Sequence, residues 1–157
     1  MTSSLENQQY SIVSPEANAE FILRIRALSV HSSPQWGRMN VAQMLDHCKI
    51  VLQSALGEVK LKRVWIGLLI GKTFKKQILG TQGFGKNIPT LKEAKISDKR
   101  EFESEQEQVI ALLQRFASGG IQVLTTRVHP FFGKMSPEEW DVFEAKHLDH
   151  HLRQFGV

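Results

Sequence analysis

Cysteine is almost absent from this chain: Cys48 is the single one in 157 residues. One thiol cannot close an intramolecular disulfide, and such usage fits a reducing compartment. Long apolar runs are also missing. The longest near-continuous one covers residues 64–71, far short of the ~20 residues that cross a bilayer. The first nine residues are polar and hold no apolar core, so they do not read as a secretory signal. A cytoplasmic location is therefore expected. The net charge is +4 and the pI about 9.3, yet no long basic stripe with interleaved aromatics appears. The densest cationic cluster is Lys60, Lys62, Arg63, Lys72, Lys75 and Lys76. That pattern argues against a nucleic-acid binder. Internal repeats and low-complexity segments are absent too.

What is present is a globular composition. Hydrophobic residues make up 41% and charged residues 23%, a balance that folds rather than stays disordered. The length suits one domain, 1–157, around one core. Helix punctuation occurs four times. Ser14, Pro15 and Glu16 supply an N-cap, a proline at the first helical position and an acid in the first turn. The helix they open carries Phe21, Ile22, Ile25 and Leu28 on one face and is expected to end between Ser29 and Ser33. Asn40 and Gln43 predict a capping box before the stripe Val41, Met44, Leu45, Cys48, Val51, Leu52, Ala55 and Leu56, which Gly57 stops.

Ser97 or Asp98 is expected to open a third long helix over residues 99–117, with Phe102, Val109, Leu112, Leu113 and Phe116 as core candidates and Gly119 and Gly120 as terminators. Ser136, Pro137, Glu138 and Glu139 predict a second capping box, opening a last helix that reaches Gln154. Between the long helices, residues 64–79 predict a shorter helix weakened by Gly67 and Gly71. Residues 80–97 read as a loop long enough to cover a site. Residues 121–125 could form a short strand, without an obvious partner. Four long amphipathic helices with two substantial connections read as an all-α four-helix bundle.

The last helix carries His147, His150 and His151. Residues four apart share a helix face at roughly 6 Å, so His147 and His151 point the same way and can hold one metal ion. The alternative is a solvated or core-edge histidine cluster. Trp140, Phe143, Leu148, Leu152 and Phe155 define the apolar stripe, with His151 near its centre, His147 near its edge and His150 further out. Glu144 lies one turn before His147 and could orient a ligand. Glu144 and His147 also make a Glu-x-x-His pattern, but no second copy exists, which argues against a di-iron carboxylate site. His47 sits on the shoulder of its helix stripe, where a histidine usually faces solvent, although it could supply a third ligand. Asp46 is expected to be solvated. Cys48, in mid-stripe, reads as an inert core thiol. The run His129, Pro130, Phe131, Phe132 and Gly133 reads as an anchor for the link before the last helix.

Two segments resemble a known family. Residues 36–47, with Trp36, Met39, Gln43, Met44, Leu45 and His47, look like the entry to the second helix of the DinB-like superfamily, which includes YfiT-type hydrolases. The run from His129 to Gly133, then Trp140, then residues 147–155, is similar to the closing segment of one branch of it. The resemblance implies an up-down-down-up bundle; the extra short helix and long loop expected between the second and third main helices are read from the residues themselves, since residues 60–95 match no part of that family. It also implies a metal, zinc or nickel, held by His47, His147 and His151. In the metalloenzyme reading Glu144 or His150 is expected to tune it, as candidate catalytic residues. The activity class it implies is a metal-dependent hydrolase or a thiol S-transferase that activates water or a low-molecular-weight thiol for a small-molecule substrate. A non-catalytic binding module is the alternative, followed by a peripheral membrane-contacting protein through residues 60–76. A homodimer is compatible with either.

Overall fold

Short polar side chains start three of the helices as their spacing predicts. Ser14 accepts from the Ala17 amide, with Pro15 behind it, and opens α1, Pro15–Ala27. Asn40 and Gln43 cap reciprocally and open α2, Val41–Ala55. Ser136 and Glu139 do the same for the last helix, Pro137–Gln154. Each cap satisfies amides that a helix start leaves orphaned. Gly57 follows α2 at φ +75°, a conformation costly for any side chain with a Cβ.

A computed structural model describes residues 10–80, 83–86, 88, 94, 96 and 98–157. Among these residues the chain is all-α. Between α2 and the last helix lie α3, Gly67–Leu79, and α4, Phe102–Gly119, so that the last helix is α5; a 3-10 turn, Gly120–Val123, follows α4. The described residues contain no strand, only an antiparallel bridge between His129 and Gly133. The first nine residues, Ser97 as a cap and much of the loop expected over residues 80–97 lie outside the described residues.

Three local expectations are corrected. The helix from Ser14 ends at Ala27, with Leu28 already extended. α4 starts at Phe102 rather than at residue 99, because Arg100 is drawn away from helical geometry. Its Nε donates to Asp46 at 2.5 Å and its Nη1 to Asp98 at 2.6 Å, while Gln43 Nε2 donates to the Asp98 carbonyl. These bonds lay residues 98–100 along α2. Residues 121–125 form no strand. Gly120–Val123 turns tightly, and the Thr125 amide donates to the Ala55 carbonyl, capping the end of α2.

α1 packs on α4 and α5, and α2 packs on the same two helices. The stripes that face inward form one continuous hydrophobic cluster, centred on Met44, Leu45, Leu52, Leu113, Phe116, Leu148 and Leu152. Fully burying each such side chain contributes roughly 1.5–3 kcal/mol. Polar stitches complete it. Asn18 Nδ2 donates to the carbonyls of Ile12 and Leu113, and Asp141 accepts from the amides of Ile12 and Val13.

α3 lies against α5 and the segment that precedes α5. Its glycines are not mere weak points of the helix. Gly67 and Gly71 are buried, and a Cβ on either would overlap the Phe131 carbonyl oxygen. Helix propensity alone makes Gly71→Ala stabilising by about 1 kcal/mol. The close approach predicts the opposite sign, a loss of about 1–3 kcal/mol from overpacking. Leu69→Ala, on the exposed side of the same helix, stays within about 0.5 kcal/mol of the parent. Urea unfolding midpoints of the two variants check this.

Candidate metal centre

Three histidines from two helices meet in the core. His47 on α2 and His147 and His151 on α5 are all buried, and a ligand atom from each lies within 4.8 Å of the others. Their ring centroids stand 5.0 Å (His47–His147), 4.7 Å (His47–His151) and 4.7 Å (His147–His151) apart, nearly an equilateral triangle. This group could hold a metal ion. Helix periodicity places His147 and His151 on one face, as read from the sequence. His47 is the surprise: its side chain is not on a solvated shoulder but buried, 2% exposed. Asp46, expected in solvent, is buried too.

Asp46 explains part of this. Burial alone would raise its pKa, but bonds from Lys49 and Arg100 hold it below the usual carboxylate range. Lys49 bridges Asp46 at 2.8 Å and Glu105 at 2.5 Å. The cluster clamps α2 to the start of α4, and it sits one residue from His47.

Hydrogen bonds set the tautomers. His47 Nδ1 lies 2.7 Å from the Ala94 carbonyl, which can only accept, so Nδ1 carries the proton and Nε2 the lone pair. His151 Nδ1 lies 2.8 Å from Gln154 Oε1. Gln154 spends its Nε2 donor on the Trp36 carbonyl at 2.7 Å, which fixes the amide orientation and again puts the proton on Nδ1. His47 Nε2 and His147 Nε2 face each other at 3.0 Å. Burial lowers the pKa of all three rings, that of His151 to about 3, so they are neutral at pH 7. Two rings anchored through Nδ1 with neutral Nε2 groups turned inward match the way imidazole ligands are oriented around metals. The donor set therefore fits a divalent ion.

The orienting partners are Ala94 and Gln154, not Glu144. Glu144 is fully buried, its carboxyl oxygens have no hydrogen-bond partner among the described residues, and burial raises its pKa well above normal. It is held as a neutral acid. Cys48 itself is buried, and burial pushes its thiol pKa up, as an inert core thiol requires. Gln154 went unnoticed in the sequence although it is three residues from His151, a spacing that allows contact on a helix.

The three rings line a cavity of about 290 Å³. Phe74, Phe84, Phe131, Phe132 and Phe143 supply aromatic walls, and His150, Trp36 and Arg38 also border it. His150 is half-buried and packs on Trp36 and Phe84. His129 does anchor its turn: its Nδ1 accepts from the amides of Phe131 at 3.2 Å and Phe132 at 3.1 Å. It also borders the cavity.

The fold and site define a helical bundle with a buried three-histidine cluster beside an aromatic cavity. The chain belongs to the family described as "Protein of unknown function (DUF1569)", which matches it over residues 7–156. No curated protein and no solved structure matches the chain.

Burial lowers the His129 pKa to about 3, against about 6.5 in an unfolded chain. Between those values the unfolded state binds more protons. The stabilising contribution is full above pH 6.5 and is lost as pH falls toward 3. Asparagine can replace Nδ1 as the acceptor without titrating. In metal-free protein, His129→Asn is expected to reduce the slope of unfolding free energy between pH 6 and 4 by about 1.4 kcal/mol per pH unit. An unchanged slope in chelator-treated denaturation curves would contradict burial of a neutral ring.

Proposed function

We propose that this chain is a divalent-metal-dependent enzyme built on a DinB-like four-helix bundle. In this reading α1, α2, α4 and α5 are the main helices of an up-down-down-up arrangement and α3 is the additional short one. Supporting it are the capped helices, the pairing of α1 and α2 with α4 and α5, and the long connection that holds α3. His47, His147 and His151 hold the ion, zinc or nickel, both of which suit imidazole donors. The observation that carries the reading is the convergence of three buried, neutral imidazoles on one point at the wall of a cavity.

Such an ion supplies a Lewis acid that makes a water or low-molecular-weight thiol acidic near neutral pH. The chain's own residues do the rest. Ala94 and Gln154 keep the rings turned inward. The aromatic walls exclude bulk water and select an apolar acceptor. His150 borders the cavity, and burial lowers its pKa. It is therefore neutral at pH 7 and able to take the proton that the nucleophile gives up. Glu144 does not border the cavity and makes no contact with substrate in this reading. The reaction is hydrolysis of an activated ester or amide, or transfer of the thiol to an electrophilic carbon.

Three ligands leave positions open, whereas structural zinc is usually closed by four. Untagged protein is expected to hold near-stoichiometric metal, and alanine at His47, His147 or His151 to abolish retention after dialysis. Full retention by all three variants would remove the assignment. Small thiols or azide are expected to shift the spectrum of cobalt-substituted protein. A fourth protein ligand and an unresponsive spectrum would leave a non-catalytic binding module instead. Gln154→Leu, which strips the acceptor from His151 Nδ1, is expected to weaken metal affinity about 10–100-fold. Competition with a chromogenic chelator measures it.

A further inference from the structure

α3 turns its apolar side outward. Trp65 is 72% exposed, Leu68 67% and Leu69 74%, with Ile66 and Ile70 at 40%. Trp65, Leu68, Leu69 and Lys72 follow the spacing i, i+3, i+4, i+7 and share one face. The side that meets the protein is made by Gly67, Gly71 and Ile78. Glycine lets the helix sit close on the Phe131 backbone while its large side chains stay in solvent. Contiguous exposed apolar side chains of this kind mark an interaction surface.

Charge identifies the partner. From Glu58 to Glu93 the sequence contains no acid, but it contains eight lysines and arginines. Lys60, Lys62, Arg63, Lys72 and Lys76 are exposed, and none forms an ion pair with an acid among the described residues. Lys75 is the exception, paired with Glu139 at 2.8 Å. Beside the helix, Lys60, Lys62, Arg63 and Arg127 border a cleft, with Val128 exposed at 44%. A second copy of the chain would set these cations against one another across a self-complementary interface. Nucleic acid would leave Leu68 and Leu69 without a partner, since its phosphates and base edges ask for polar contacts. A lipid surface satisfies both features: apolar side chains enter the acyl boundary and lysines meet headgroup phosphates. No helix among the described residues is long and apolar enough to cross a membrane, so the contact is interfacial.

We propose that residues 60–66 and α3 form an interfacial anchor that docks this protein on the surface of an anionic lipid bilayer, through Trp65, Leu68 and Leu69 flanked by the exposed lysines and Arg63. The anchor does not depend on the metal. The same helix contributes Phe74 and Ile78 to the wall of the histidine cavity, so the docking face and the cavity wall belong to one element.

The test is co-sedimentation of the full chain with phosphatidylcholine vesicles, alone or mixed with phosphatidylglycerol, at low and high salt. Binding is expected to the mixed vesicles only, with a blue shift of tryptophan fluorescence, and to weaken at high salt. Lys72→Gln and Lys76→Gln are each expected to weaken binding about five-fold. Leu69→Glu, at an exposed position that leaves the thermal unfolding of the chain intact, is expected to abolish it. No binding to the mixed vesicles, equal binding to neutral vesicles, or unaltered binding of Leu69→Glu would overturn the proposal. So would a wild-type dimer that Leu69→Glu dissolves without any vesicle binding, which would make the face a self-association surface.

Discussion

Burying three imidazoles at one point is the constraint on which the site depends. Charged, they would repel one another in a medium that screens poorly. Neutral, each still needs a partner for its ring N–H, because an unpaired polar group in a core costs about 1–3 kcal/mol. The chain answers with the Ala94 carbonyl for His47 and Gln154 for His151. Both bonds take the proton at Nδ1 and turn the Nε2 lone pair inward, where that of His47 meets His147 Nε2 at 3.0 Å. The interaction that makes burial tolerable is thus the one that aims the lone pairs, and stability and ligand geometry share a cause.

That arrangement spreads outward through ordinary contacts. Gln154 passes its second bond to the Trp36 carbonyl, so the segment before α2 is tied to the end of α5. Asp46, Lys49, Arg100 and Glu105 tie α2 to the start of α4. Asp141 holds residues 11–13 on the first turns of α5. α5 carries most of this traffic. Its buried side includes Asp141, Glu144, His147, His151 and Gln154 along with its apolar residues, which makes it the most polar of the core-forming surfaces. The Glu144 carboxyl oxygens, like Trp140 Nε1, have no hydrogen bond among the described residues, and burial keeps Glu144 neutral.

α3 follows a different logic. The four main helices bury large side chains, whereas α3 buries glycine. Its closeness to residues 129–133 comes from missing Cβ atoms, with the Phe74 ring packed edge-on against Phe131 beside them. A helix held in this way can place Phe74 and Ile78 at the cavity and still leave Trp65, Leu68 and Leu69 facing out. The same residues that look like poor helix formers in sequence are the ones that make this two-sided use possible.

Local chemistry was legible in the sequence. Ser14, Asn40 and Ser136 satisfy amides a few residues away, and the apolar stripes repeat at helix spacing, so helix starts and core faces could be read directly. His147 and His151 share a face for the same reason. Gln154 obeyed the same periodicity and could have been found by asking what His151 needs as a partner. Other features depended on residues far apart in the chain. His47 and Asp46 left the solvated shoulder for the core because Ala94, Arg100 and Glu105 come to meet them, and helix projection carries no trace of those partners. The start of α4 moved for the same reason. The backbone carbonyls of Ala94 and Phe131 belong to every residue type alike, so no pattern announces them. Periodicity along one helix was decided by the sequence itself; which remote groups close each buried hydrogen bond was decided only when the helices packed.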